Sequence, residues 1–404
     1  MRLYFLVMPW KTTSLGQARL RLVQAVLAGK RPLKELCGDF GVSRPVAYKW
    51  LARFREKGRG GLTDRSRRPR HSANQIDGKW QTRIEHWRRR RPHWGARKLR
   101  CQLKRDHPRS AVPCERTIHR LLKREGWVRA PKRRARRGPT LPYAGLTTPR
   151  RSNEVWTVDF KGWFVTTDGV RQEPLTVRDL FSRYGLCLRL LSNQEDRAAR
   201  RVLQGLFRLR GVPKVIRVDN GSPFSGTGAL GLSRLSVWWL RLGIRVEFTR
   251  RARPGDNAAH EQFHGCYQRE IVNSGGANRR LMQAKSNRWL RDYNEQRPHE
   301  ALGQKTPSQV YRVNPRRYPE NLEPIRYPKR WQTRGVRNRG HIKWQGRLRF
   351  IGRAFTGQTV GVKTLDNQSW EIYLGKQIIG ELHSKDQTGL RPAKRRSFEN
   401  IKNV

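Results

Sequence analysis

Apolar residues recur at helical spacing through the first third of the chain. "SLGQARLRLVQAVLAG" predicts a helix ending at Gly29, and "PLKELCGDFGVSRPVAYKWLARFREKG" predicts a helix-turn-helix. In the latter, Leu33, Leu36 and Cys37 face inward on the first helix and Gly41 permits the turn. Ser43 stands at the cap of the next helix, with Pro45 in its first turn. Val46, Trp50 and Phe54 form its inward stripe, with Ala47 and Leu51 beside them. "HWGARKLRCQLKRDHP" and "CERTIHRLLKREGWV" predict two further helices, with Ile118, Leu121 and Leu122 as the apolar stripe.

Near Val155 the pattern changes. "EVWTVDFKGWFV", "PLTVRDLFSRYGLCLRLL", "PKVIRVD" and "IRVEF" are rich in β-branched and aromatic residues and predict strands. "EDRAARRVLQGLFRLRG", "GLSRLSVWWLRLG" and "NAAHEQFHGCYQREIV" predict helices between and after them, which makes a mixed α/β domain. Five short runs, "HIKW", "RLRFIG", "TVGVKTL", "SWEIYLG" and "QIIGEL", then predict a small β-barrel. The chain is thus expected to be multidomain. All-α modules occupy residues 8–60 and 75–130, the second winged-helix-like. A basic linker follows at 131–152, an α/β core at 153–312 and an SH3-like barrel at 335–385. A further basic linker spans 58–74, and the tail "RPAKRRSFENIKNV" is expected to be mobile.

Charge narrows the function. With 88 Lys+Arg against 31 Asp+Glu, the net charge is +57, far beyond what solubility needs, and it calls for a polyanionic partner. Nucleic acid is preferred to a membrane surface, because the basic residues run along the whole chain and no stretch approaches the roughly 20 apolar residues of a spanning helix. Residues 3–8 are too short for a secretory h-region, and the alternative is a translation start at Met8. Five scattered cysteines without a C-x-x-C pair suit a reduced cytoplasm and no structural zinc. On the second helix of the helix-turn-helix, Arg44, Tyr48, Lys49 and Arg53 are free for a DNA groove or phosphates. Arg97 and Lys98 in the next module, and Lys132, Arg133 and Arg134 in "KRRARR", are the other candidates. A solvated helical bundle and a solvated arm are the alternatives.

Against this basic background three carboxylates stand out. Asp159 lies within the first strand of the mixed domain, Asp219 closes "VIRVD", and Glu261 sits in the first turns of the helix beginning near Asn257. If the strands are neighbours and the helix packs across them, the three converge. Clustered carboxylates raise one another's pKa and need a cation. An arginine is one candidate. Mg²⁺, which takes oxygen ligands from protein, water and phosphate, is the other.

At these residues the sequence resembles a known family. "WTVDF", "VDNGSPF" and "RPGDNAAHEQFH" resemble the three signatures of the DDE catalytic core of retroviral integrases and bacterial insertion-sequence transposases. "WGARKLR", "TVRDLFSRY" and "YNEQRPHEALGQKTPSQVY" resemble the transposase branch, and the likeness runs over roughly residues 8–385. The resemblance implies a ribonuclease-H-like core in which Asp159, Asp219 and Glu261 hold two Mg²⁺ or Mn²⁺ ions, water cuts the element's end, and the freed 3′-hydroxyl attacks target DNA. It implies that Asn220 and Gly221 shape the loop, and leaves His260 between contact with DNA or a metal's water shell and simple packing. Two departures occur: Arg251-Ala252 replaces the usual Pro-Gly, and Ala258 replaces the usual glycine, so the helix could start differently. The zinc module of retroviral integrases is absent.

The expected function is that of a DNA transposase binding the terminal repeats of its element, acting as a homo-oligomer in a synaptic complex on element ends and target DNA. The expected location is the cytoplasm, at the bacterial nucleoid. A domesticated DNA-binding regulator without catalysis and a ribonuclease-H-type nuclease are the alternatives. The intact triad argues against the first and the recognition modules against the second.

Overall fold

A computed structural model describes residues 14–64, 76–128, 145–226, 228–250, 253–387 and 389–392. Residues 3–8, Lys132, Arg133, Arg134, Arg251-Ala252, most of both basic linkers and the tail beyond 392 lie outside the described residues. The chain divides into two compact units, Met1–Gln75 and Ile76–Val404.

The first unit holds α1 (Leu15–Leu27), α2 (Leu33–Asp39) and α3 (Arg44–Lys57). The Ser14 side chain accepts from the Gln17 amide at the start of α1. Gly41, at φ +61°, makes the turn between α2 and α3, in a left-handed conformation that residues with a side chain rarely adopt. Leu22, Cys37 and Ala47 form one buried cluster and Val23, Trp50, Leu51 and Leu62 a second. Val46 departs from the expected stripe: it is 36% exposed, because α3 is turned so that Ala47 and Leu51 face inward instead. Ser43 is the N-cap residue of α3 but makes no side-chain cap bond.

The second unit opens with α4 (Gly78–Arg90), α5 (Ala96–Asp106) and α6 (Glu115–Arg124) around Ile84, Trp94, Leu99, Leu103, Ile118, Leu121 and Leu122. No strand occurs among the described residues of 76–128, so these three helices carry no wing there. Arginines tie them to the last helix of the α/β core and the turn after it. Arg91 grips Asp292 with two guanidinium bonds, and Arg105 donates to the Gln296 carbonyl at 3.0 Å.

The α/β core consists of β1 (Val155–Phe160), β2 (Phe164–Val165), β3 (Arg171–Asp179), β4 (Gly185–Leu191), α7 (Asp196–Arg210), β5 (Val215–Val218), α8 (Arg234–Arg241), β6 (Arg245–Phe248), α9 (Ala258–Glu270) and α10 (Arg279–Glu295). One sheet runs β3-β1-β5-β6, with β2 and β4 both pairing β3. β1, β5 and β6 are parallel, and β3 runs antiparallel to β1 and β4. Alternation along β1 sorts its faces. Trp156 and Val158 pack against Leu203 and Phe207 of α7 and Leu235, Trp238 and Trp239 of α8. Thr157 and Asp159 face the opposite layer, where α9 and α10 bury Phe263, Tyr267, Met282, Trp289 and Tyr293 against Leu188 and Leu190 of β4.

The C-terminal strands are β7 (Gln332–Gly335), β8 (His341–Trp344), β9 (Arg347–Phe350), β10 (Thr359–Asp366), β11 (Ser369–Leu374) and β12 (Gln377–His383). They do not close into the expected barrel. Among the described residues, β12-β11-β10-β7 make an open antiparallel sheet, and β8-β9 is a separate hairpin. The two share one core, built mostly from their own Ile342, Trp344, Val360, Val362, Ile372 and Leu382, which Leu232 and Val237 of α8 join from the α/β core.

Candidate active site

The parallel β1–β5 ladder pairs Val155 with Val215, Trp156 with Ile216 and Thr157 with Arg217. Continued by two residues, the same register sets Asp159 beside Asp219, and the period-2 pleat gives both the same face. Asp219 begins the loop after β5, and its Oδ1 accepts the Gly221 amide at 3.0 Å. A Cβ at Gly221 would stand 3.1 and 3.2 Å from the two carboxylate oxygens, so glycine is what lets the loop wrap its own acid. Asn220 ties that loop to the end of β6 by donating to the Thr249 carbonyl at 2.6 Å.

α9 brings the third carboxylate. Its lead-in is clamped by Arg250, whose amide, Nε and Nη2 all reach the Asp256 carboxylate at 2.7 to 3.1 Å and hold it below the usual carboxylate range. Asn257 is the N-cap and donates to Asp159 Oδ2 at 3.3 Å. Ala258 takes ordinary helical angles, φ −52° and ψ −35°, so alanine here asks for no left-handed backbone and the helix begins without strain. One turn in, His260 is fully buried, with Nδ1 2.7 Å from the Thr157 hydroxyl and Nε2 2.6 Å from the Thr176 hydroxyl. It is a packing pin between α9 and strands β1 and β3. Burial, then the neighbouring His264 and Arg178, hold it uncharged. Arg178 adds a second fastening, donating to the Ala259 carbonyl and lying 5.0 Å from the Phe263 ring.

Two of the carboxylates act on the third. Asp159 is pushed up to about 7, first by burial and then by the negative charges of Asp219 and Glu261, against a lowering hydrogen bond from the Phe160 amide. Among the described residues no lysine or arginine forms an ion pair with Asp159, Asp219 or Glu261; the ionisable side chain set beside Asp159 is His264, 3.9 Å from its Oδ2. The contrast with nearby acids is sharp: Glu247 is bound by Arg217 and Arg245, Asp256 by Arg250, and Glu270 by Arg297. The donor set is hard oxygen, which suits Mg²⁺ or Mn²⁺.

Sequence reasoning missed His264. Its Nε2 lies 2.8 Å from the Thr176 hydroxyl and its Nδ1 3.9 Å from Asp159 Oδ2, while burial followed by the charges of Lys161 and Arg178 brings it down to about 3. The signal was there in Glu261-x-x-His264, since residues three apart share a helix face. Asp179, in "TVRDLFSRY", serves the fold rather than the chemistry. Its buried carboxylate accepts from the Asn153 amide and from the Ser182 amide and hydroxyl at 2.5 to 2.8 Å, closing the β3–β4 corner.

The nine residues expected on DNA divide three ways. Arg44, Tyr48 and Lys49 are exposed on α3, Tyr48 by 61%, while Arg53 is half-buried with its guanidinium 4.9 Å from the Trp50 ring. Arg97 is exposed but ion-paired with Glu115 and Glu300. Lys98 is half-buried near Arg297 of the α/β core, where burial and then the Arg297 charge lower it to about 8. Lys132, Arg133 and Arg134 are outside the described residues. Among the described residues no helix is long and apolar enough to cross a membrane.

Comparison with known proteins gives the same outline. Integrase core domain families match residues 149–254 and 242–307, a Helix-turn-helix domain family matches 18–70, a Homeodomain-like domain family matches 46–122, and the IS481 family transposase C-terminal domain matches 331–389. The chain is 30% identical over 246 residues to the 31.7 kDa protein of insertion element IS407 from Burkholderia multivorans, covering 60% of this chain and 82% of that one. It is 28% identical over 194 residues to the 39.2 kDa protein of insertion element IS476 from Xanthomonas euvesicatoria, covering 48% and 54%. Against the catalytic core domain of HTLV-2 integrase the identity is 14% and the TM-score 0.33, over 41% of this chain and all of that one. An integrase-type core behind helix-turn-helix modules defines a polynucleotidyl transferase acting on DNA. More narrowly, the chain belongs to the DDE transposases of insertion sequences.

Proposed function

We propose that Asp159, Asp219 and Glu261 are the catalytic carboxylates and that together they hold two divalent ions, Mg²⁺ or Mn²⁺. The observation that carries this reading is the buried Asp159 carboxyl, raised by the negative charges of Asp219 and Glu261 and without a lysine or arginine partner among the described residues, in a chain of net charge +57. When bound, such a pair of ions would lower the pKa of an attacking water or hydroxyl and stabilise the leaving oxygen of a phosphodiester. The chain's own residues do the positioning. Asn257 sets the rotation of the Asp159 carboxylate, the Gly221 amide sets that of Asp219, and His260 fixes how far α9 can move from the sheet. The reaction is phosphodiester exchange: a water oxygen bonds to phosphorus and the 3′-oxygen of the element end leaves. That 3′-oxygen then bonds to a phosphorus of target DNA and displaces the target's own 3′-oxygen.

Recognition of terminal repeats fits the exposed face of α3, and joining two ends to one target suits an assembly of more than one copy on DNA. The test is a joining assay with the full chain, a labelled duplex carrying the terminal sequence of the element, and supercoiled plasmid. Joined product is expected in Mg²⁺ and none after chelation. A chain that binds the duplex tightly yet never cuts or joins it would be the regulator, and one that cuts without joining would be a nuclease.

The α3 face carries its own expectation. Arg44→Ala with Lys49→Ala should weaken end binding, and if both touch phosphates the slope of log affinity against log salt should fall by about 1.8, at roughly 0.9 per contact. Lys98→Ala should leave affinity and slope unchanged at the same salt. A loss at Lys98 equal to that on α3 would place it on the DNA surface.

A further inference from the structure

We infer that His264 supplies an imidazole nitrogen, Nδ1, as a further protein ligand to the divalent cation held at Asp159. The inference rests on the reading of the carboxylate cluster as a cation site, and it comes from counting protons at one hydroxyl. Thr176 Oγ1 lies 3.0 Å from the main-chain carbonyl of Asp159, 2.6 Å from His260 Nε2 and 2.8 Å from His264 Nε2. A hydroxyl has one proton and two lone pairs. The carbonyl can only accept, so the proton goes there. Both imidazoles must then donate from Nε2, which makes each the Nε2–H tautomer with a bare lone pair on Nδ1.

The two rings part company at that lone pair. His260 Nδ1 is satisfied by the Thr157 hydroxyl at 2.7 Å. His264 Nδ1 has no donor among the described residues; what it faces is Asp159 Oδ2, 3.9 Å away, with its own side chain only 13% exposed. Two acceptors turned toward each other in a mostly buried place repel, and a shared cation reverses the sign. Bonds of roughly 2.1 Å from one ion to each atom reach across about 4.2 Å, so the observed 3.9 Å admits a single ion between them. The potential ligand atoms of Asp159, His260 and His264 all lie within 4.8 Å of one another, and of the two histidines only His264 has a nitrogen to spare. Helix geometry adds Glu261: Glu-x-x-His on one helix supplies a carboxylate and an imidazole to the same metal pair in four-helix di-metal proteins.

Pulsed electron spin resonance of the full chain loaded with Mn²⁺ at less than one equivalent, without DNA, tests this directly. A histidine nitrogen bound to Mn²⁺ modulates the spin echo, and the modulation changes when histidine alone is labelled with ¹⁵N. Expected are bound Mn²⁺ with nitrogen modulation, its change on labelling, and its disappearance in His264→Asn, whose amide oxygen keeps an ion in place. The labelling arm uses the unaltered chain, so it decides even if the variant folds poorly. Mn²⁺ bound in an Asp159-dependent way without histidine nitrogen overturns the assignment of His264 and leaves the carboxylate site standing. Mn²⁺ that does not bind, or binds equally to Asp159→Asn, overturns the carboxylate site and this inference with it.

Discussion

Asp159→Asn is expected to abolish strand joining and, in the absence of metal, to make the fold more stable above neutral pH. Both effects come from one carboxyl group. Its ordinary value of 3.8 is raised to about 7 by burial and by Asp219 and Glu261, so the folded chain binds that proton more tightly than the unfolded chain does. Below about pH 4 the group is protonated in both states and adds nothing. Between 4 and 7 its ionisation weighs against folding, and above 7 the full burden is present. A displacement of roughly three units corresponds to a burden on the order of 4 kcal/mol, which asparagine removes. Urea midpoints in chelator should therefore rise in the variant at pH 8 and agree with the parent near pH 4. Joining should fall by more than about 100-fold, beyond the 10–100-fold loss that removing a mere hydrogen-bond partner of a metal ligand brings. Added Mn²⁺ should stabilise the parent and not the variant. Unchanged midpoints at pH 8, or surviving joining, would sink the assignment.

A stabilising loss of function is the sign of a site kept at the expense of the fold. The sequence already displayed the anomaly, since an acid within a run of apolar strand residues is rare. What made it legible was its place within the first strand of a strongly basic chain; the structure then shows Trp156 and Val158 on one face of β1 and Thr157 and Asp159 on the other. Helices α7, α8 and α9 were legible because each has a dense apolar stripe.

α10 was missed because its buried positions, Met282, Ser286, Trp289, Tyr293 and Asn294, include polar residues that only their partners make tolerable. Ser286 meets the Tyr267 hydroxyl at 2.7 Å, and Asn294 bonds both the amide and the carbonyl of Gly185. α4 buries a single fully hydrophobic position, Ile84, and β7, "QTRG", has no apolar residue at all and is held by its ladder to β10. Val46 was misread because Ala47, too small to weigh in a hydrophobic pattern, is the residue that packs. The histidines show the deeper limit. Nothing in "AAHEQFHG" says that Thr157 and Thr176, from two other strands, will divide the ring nitrogens into satisfied and free.

Breaking the Arg217–Glu247 pair should be the largest purely structural lesion near the site. The two residues stand opposite each other on β5 and β6, and their side chains are only 7% and 8% exposed. Arg217 reaches Glu247 Oε2 through Nε at 3.2 Å and Nη2 at 3.0 Å, and the same Nη2 donates to the Thr147 carbonyl at 2.6 Å. Arg217→Met leaves a buried carboxylate with only Arg245 and Thr147 beside it, which should lower stability by about 3 kcal/mol or more. Glu247→Leu should do comparable harm by stranding the arginine. In the double variant neither charge remains, and apolar side chains of similar volume fill the space, so its urea midpoint should lie above those of both singles. Because Arg217 is two residues ahead of Asp219, joining by the singles should fall as the end of β5 loosens. Recovery of joining along with stability in the double variant would make the pair a support for Asp219. Full stability with joining still absent would instead give Arg217 a part in the chemistry.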